Sequence, residues 1–127
     1  VRCRFDGTAN EVAAVVRLVE NGSALPVCPE QLGGLPTPRP SCVFREDGHV
    51  ARETDGEDVT EAFVRGAEET VRLARLFGAD TAILKERSPS CGVLLVHGPD
   101  GVRPGRGTAA RALSEAGLRL VVGDELQ

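Results

Sequence analysis

Between residues 59 and 77 the apolar positions Ala62, Phe63, Ala67, Val71, Ala74 and Phe77 fall on one stripe of a 3.6-residue period, and Gly78 follows at once. A helix with one apolar face has to lay that face on something. The next segment, Thr81-Ala82-Ile83-Leu84, is a short apolar run with the β-branched character of a buried strand. A long amphipathic helix feeding directly into a buried strand is the unit from which α/β domains are built. Asp58 and Glu61 supply a capping-box-like start for this helix, and Gly78 supplies its stop.

The rest of the chain repeats the alternation. Val12, Val15, Val16 and Val19 predict a helix over residues 10–20, ended by Asn21-Gly22. Residues 24–28 read as a short apolar strand. It runs into a loop with four prolines (Pro29, Pro36, Pro38 and Pro40) and the pair Gly33-Gly34. Residues 42–45 and 49–54 flank Glu46-Asp47-Gly48, a β-hairpin signal. Residues 93–96 predict a further strand, and 99–107 a Gly-rich turn region. A third helix, capped by Thr108, runs through Ala116 to Gly117, and residues 118–122 form the last strand. The predicted fold is α/β: a three-layer sandwich around a mostly parallel, Rossmann-like sheet, with a small β-hairpin insertion. No internal linker or repeat divides it, so the 127 residues read as a single domain.

Composition narrows the function classes. With Phe 4, Trp 0 and Tyr 0 the core must be aliphatic, and no aromatic platform exists for stacking single-stranded nucleic acid. The net charge is -4 without a long basic run, which argues against binding a phosphate backbone. No apolar run approaches the ~18 residues of a membrane span, and no signal peptide is visible, so a cytoplasmic location is expected.

The chemical interest lies in four cysteines, Cys3, Cys28, Cys42 and Cys91. There is no Cys-x-x-Cys pair of the kind that zinc ribbons and thioredoxin-like proteins use. A disulfide framework belongs to shorter secreted chains. Cys28 ends one predicted strand, and Cys91 lies in the loop after another. In an open parallel sheet both positions face the edge where sites form. Each is flanked by Pro or Gly, in Val27-Cys28-Pro29-Glu30 and Ser88-Pro89-Ser90-Cys91-Gly92. Such loops leave backbone N–H groups to face a thiolate, as an iron–sulfur cluster site requires. The competing reading is that both are inert small hydrophobes. Cys3, flanked by Arg2 and Arg4, is a third candidate because neighbouring cations favour a thiolate. Cys42, entering a strand, reads as structural.

Glu30, two residues after Cys28, is placed either for general acid/base work or as a solvated loop carboxylate. Ser88, three residues before Cys91, is either a hydrogen-bonding partner for substrate or a turn-former ahead of Pro89. Arg39, between two prolines, reads as a surface ion-pair residue or an anion clamp. His49 and His97 read as surface residues.

Four stretches together go further: Arg2-Cys3-Arg4-Phe5-Asp6-Gly7; the run from Pro26 to Pro40 with Cys28-Pro29-Glu30 and Gly33-Gly34-Leu35-Pro36-Thr37-Pro38-Arg39; Gly56-Glu57-Asp58-Val59-Thr60-Glu61-Ala62-Phe63; and Leu84-Lys85-Glu86-Arg87-Ser88-Pro89-Ser90-Cys91-Gly92. Over nearly its whole length the chain resembles the family catalogued as domain of unknown function 523, which includes a 2-thiouracil desulfidase. The resemblance implies a 4Fe–4S cluster held by three cysteines, with the fourth iron open to the sulfur of a thiolated nucleobase. It also implies hydrolytic C–S cleavage without net redox change. Cys28 and Cys91 match cluster ligands, and Glu30 and Ser88 match catalytic positions. The family opens with an apolar strand and a Cys-Leu-Leu-Gly segment just before the position of Val1. The resemblance therefore implies a strand and a third ligand ahead of Val1, with Cys3 as the alternative ligand. The implied partner is a small thiolated base, not a nucleic acid or a membrane. A second function class remains beside the enzyme: a redox sensor or sulfur carrier that uses the same cysteines. A third is an α/β domain with inert thiols. Glu30 and Ser88 favour the enzyme, because a sensor needs no proton shuttle.

Overall fold

The computed structural model describes residues 13–123. In chain order the elements are α1 (Ala13–Glu20), α2 (Pro29–Leu32), β1 (Cys42–Phe44), β2 (Val50–Arg52), α3 (Thr60–Phe77), β3 (Thr81–Leu84), β4 (Leu95–Gly98), β5 (Gly101–Pro104), α4 (Thr108–Glu115) and β6 (Arg119–Val122). The domain is a mixed α/β structure. β3 and β6 pair in parallel, from Thr81 opposite Arg119 to Leu84 opposite Val122, with α4 between them in sequence. β1–β2 and β4–β5 are antiparallel hairpins.

The long helix is where its apolar stripe predicts it. Phe63 and Ala67 are buried, and Gly78 closes the helix at φ 78, its N–H bonding back to Ala74 and Arg75. The capping box does not form. Asp58 Oδ1 accepts from Thr60 N at 2.8 Å, one residue earlier than a box requires, and Thr60 Oγ1 accepts from Val50 N at 2.9 Å. Asp58 also holds His49 Nδ1 at 2.7 Å; His49 is exposed, as expected, and partnered there. The Thr60 bonds, with help from His49, hold Asp58 down at about 2. α4 likewise starts without a side-chain cap: Gly107 is its N-cap and Thr108 its first residue.

Three strand expectations shift. Residues 24–27 pair with no strand among the described residues; the segment flanks a cavity and not a neighbouring strand. The strand expected at 93–96 begins at Leu95 and runs to Gly98, while the N–H groups of Val93 and Leu94 go to a side chain. The region 99–107 contains β5, which the Pro99-Asp100 turn folds back on β4. Of the helix expected over 10–20, the part from Ala13 is described.

One core cluster joins Leu84 at the end of β3, Val93, and Ala110 and Leu113 of α4. Val71, Ala74, Leu120 and Val122 pack on it, and so does Cys91. The loop after β3 is thus rooted in the core, which fixes where the C-terminal edge of the parallel pair presents its side chains.

Candidate active site

Cys28 occupies the N-cap position of α2 in extended conformation, φ -125 and ψ 107. Its carbonyl accepts from Leu32 N at 3.0 Å. Pro29 suits the first helical position, where no N–H is needed. This single turn rests directly on α3. A Cβ on Gly66 would lie 1.8 Å from the Pro29 carbonyl oxygen, and one on Gly33 would lie 1.9 Å from that of Ala62. Only hydrogen fits between the two backbones. Arg65 of α3 adds two bonds to Gly33 O, at 3.2 and 2.9 Å. Cys28 is 7% exposed as a result.

Glu30 sits in the same turn, and it is not a lone carboxylate. Its Oε1 accepts from Arg39 Nε at 3.0 Å, and the two side chains are 18% and 4% exposed. Arg39 is therefore a buried ion-pair residue and not a surface one. The proline-rich loop folds back over α2, and its guanidinium finds Pro36 O at 3.1 Å and Thr37 Oγ1 at 2.8 Å besides Glu30. A cation so buried needs such acceptors in place of water. Among the described residues, the second carboxylate oxygen of Glu30 accepts no hydrogen bond.

Cys91 lies in a tight turn between β3 and β4. Ser88 Oγ accepts from Ser90 N at 3.0 Å and Cys91 N at 3.1 Å, and Gly92 N bonds Ser88 O at 2.8 Å. Ser88 is a turn-former as its sequence context suggests. Its hydroxyl hydrogen remains available to donate, since both of those bonds use the oxygen as acceptor. The turn is backed by α4, where a Cβ on Gly107 would meet Ser90 O at 2.4 Å.

Cys28, Glu30, Arg39, Cys42, Ser88 and Cys91 all line one cavity of about 1150 Å³. The two loops, 63 residues apart in sequence at their cysteines, both border it. Among the described residues Cys28, Cys42 and Cys91 form no disulfide with one another. Cys42 Sγ donates to Pro40 O at 3.8 Å. Burial, and then the Glu30 carboxylate, push this thiol up to about 11 against the pull of Arg39. Cys42 therefore stays protonated at neutral pH, in keeping with a structural role. His97 is exposed at the cavity's edge. Cys3 lies outside the described residues. Among the described residues no three His, Cys, Asp or Glu side chains group to hold a metal.

The comparisons with known proteins decide the family. The family model described as 2-thiouracil desulfurase matches residues 1–125. This chain belongs to the 2-thiouracil desulfurase family. A family relative from Bacillus subtilis (strain 168), the uncharacterized protein YbbK, is 36% identical over 139 residues, spanning 99% of this chain and 91% of its own length. A solved structure, described as the [4Fe-4S]-dependent thiouracil desulfidase TudS (DUF523Vcz), superposes with a TM-score of 0.87 at 36% identity, over 97% of this chain and 83% of that one. No described helix is long and apolar enough to cross a membrane.

Sequence reasoning missed one residue of the site. Glu86 uses its carboxylate to tie the Cys91 turn to the start of β4. Nothing in its spacing marks it: a Glu two residues past a strand end is ordinarily solvated.

Proposed function

We propose that this protein is a [4Fe-4S]-dependent desulfidase that converts a thiolated nucleobase such as 2-thiouracil, with water, to the oxo base and hydrogen sulfide. The observation that carries this reading is the convergence of Cys28, Glu30, Ser88 and Cys91 on one cavity in a member of the desulfurase family. The donor set fits a cluster in kind: soft thiols on two rigid loops, one at a helix N-cap and one in a turn held by its own hydrogen bonds. Cys28 and Cys91 would hold the cluster, with a third thiolate from Cys3 or from a residue ahead of Val1. When bound, a cluster with one open iron supplies a Lewis acid for the departing sulfur.

The chain's own groups do the proton work. Glu30 is fixed by Arg39 through one oxygen, which leaves the other to take a proton from water and return it to the leaving atom. Ser88 keeps a hydroxyl donor for the substrate while its oxygen holds the Cys91 turn. The reaction exchanges C=S for C=O and moves no net electrons, so no redox partner is required.

The finer architecture belongs to the same proposal. We read residues 1–127 as one domain whose parallel pair is the visible part of a three-layer, Rossmann-like sandwich. The segment 24–27 and β3 flank the same cavity, which supports this reading. Thiols at Cys28, Cys42 and Cys91 fit the reducing cytoplasm.

The test is Glu30→Gln, assayed for uracil and sulfide release after anaerobic reconstitution. Arg39 retains Pro36 O and Thr37 Oγ1. The cluster should therefore stay, while turnover falls by roughly 10²–10⁴-fold. Near-normal turnover with an intact cluster removes Glu30 from the mechanism.

A further inference from the structure

The turn that carries Cys91 is closed by a carboxylate. Glu86 Oε1 accepts from Val93 N at 2.6 Å, Leu94 N at 3.1 Å and Leu95 N at 3.2 Å, and Oε2 shares Leu94 N at 3.2 Å. Three successive N–H groups aimed at one anion form the kind of nest that binds phosphates and clusters in other folds. Here the chain's own side chain fills it. Burial alone would push Glu86 up, but the donors Leu95, Val93, Leu94 and Arg87 outweigh it and hold the carboxyl below its ordinary value.

Everything between the two ends of this clamp is tight. Arg87 is held at φ 74, a left-handed conformation unfavourable for a residue with a Cβ. Its backbone is bonded to β4 on both sides, Arg87 N to Leu95 O at 3.1 Å and His97 N to Arg87 O at 2.8 Å. Ser88 Oγ holds Cys91 N from within the turn. A Cβ on Gly92 would fall 2.1 Å from Leu95 O, so the turn has no slack for a side chain there. A strained backbone persists only where its surroundings over-determine it. Glu86 is the charged group that closes this loop upon itself.

We propose that Glu86 is the positioning residue for Cys91: its carboxylate locks residues 86–95 so that the Cys91 thiol is presented to the cavity in one orientation. The consequence for cluster retention rests on the reading of Cys91 as a ligand; the locking itself does not.

The experiment compares the full-length protein with Glu86→Ala and Glu86→Gln. Without cluster, the thiols are alkylated with iodoacetamide and each cysteine is followed by peptide mass spectrometry. In Glu86→Ala, Cys91 should react on the order of 10-fold faster while Cys28 changes less than about twofold, the fold-change expected for loss of a charge-assisted clamp. Amide exchange at Val93, Leu94 and Leu95 should rise with it. Gln keeps one acceptor oxygen and loses the charge, so Glu86→Gln should fall between, at roughly threefold by the same reasoning. After anaerobic reconstitution, the variants should lose iron to a chelator faster in the same order, with a shifted EPR signature of the reduced cluster. An unchanged Cys91 rate overturns the proposal. So does equal acceleration at Cys28, which would mean general loosening. If the alanine protein does not fold, Glu86→Gln decides by the same contrast. Wild-type protein that binds no iron, with the alkylation contrast intact, refutes the cluster reading and supports the lock.

Discussion

The two loops that meet at the cavity are held by opposite means. Cys28 rides on a one-turn helix pressed against α3, backbone to backbone, through Gly33 and Gly66. Cys91 rides on a turn tied by side chains: Ser88 inside it and Glu86 across its mouth. The first anchor is mainly steric, with Arg65 bonded to Gly33 O beside it, and it contains no group that titrates in acid. The second is polar and depends on charge. A site that has to grip one rigid object from two sides gains from having each wall fixed independently, because slack in either is felt at the shared ligand.

The largest expected effect tests whether both walls grip. Cys28→Ser and Cys91→Ser should each abolish retention of the cluster, since a hydroxyl is a poor ligand for iron. Cys42→Ser should retain it: that thiol, pushed up to about 11, is protonated where the ligands must be thiolates. Iron and sulfide counted after anaerobic reconstitution give the answer. Loss of iron in the Cys42 variant alone would put the ligand on the wrong wall.

The elements that could be read in the sequence are those whose signals are local. The α3 stripe and the Gly78 stop are properties of a few adjacent residues, and the helix forms where they place it. The Glu46-Asp47-Gly48 hairpin formed for the same reason, with Gly48 at φ 87. Cys28, Glu30, Ser88 and Cys91 were singled out through motif and resemblance, and all four lie along the lining of one large cavity. What stayed hidden depends on how irregular loops fold back on themselves, which no periodic pattern announces. Arg39 read as a surface residue because nothing local says that a proline-rich loop will return its guanidinium to Glu30. Glu86 was invisible because its acceptor role is defined by three N–H groups seven to nine residues away. The segment 24–27 has strand composition, but a strand also needs a neighbour.

A middle-sized effect separates the steric anchor from the polar one. Gly66→Ala should gain about 1 kcal/mol of helix propensity. It places a methyl 1.8 Å from the Pro29 carbonyl oxygen, a rigid backbone atom. Overpacking against such an atom costs about 3 kcal/mol. The net loss is about 2 kcal/mol, read by denaturant unfolding. Ser88→Ala removes a side-chain cap of the Cys91 turn and should cost about 1 kcal/mol. The order would be broken by a Gly66→Ala protein as stable as wild type, which would mean that α2 can lift from α3 without penalty.

The smallest effect is confined to one wall and is brought out by acid. The Glu86 carboxyl lies below its ordinary value, because the Leu95, Val93, Leu94 and Arg87 donors more than offset the upward push of burial. A carboxyl depressed in the folded state contributes stability that is present above its unfolded value, about 4.3. That contribution is lost as pH falls through the lower folded value. Lowering the pH from 6 towards and below about 4 should therefore loosen the Cys91 turn while the Gly33–Gly66 contact, which is made of backbone, keeps its place. Amide exchange corrected for intrinsic pH dependence reads this directly. Protection at Val93, Leu94 and Leu95 should fall in that window while protection at Leu32 and Gly33, whose N–H groups bond Cys28 O and Pro29 O, holds. In Glu86→Gln there is no carboxyl to protonate, and protection at 93–95 should be low and flat across the same range. If protection at Leu32 falls in step with that at Val93, the two anchors are one cooperative unit and the contrast between steric and polar attachment fails.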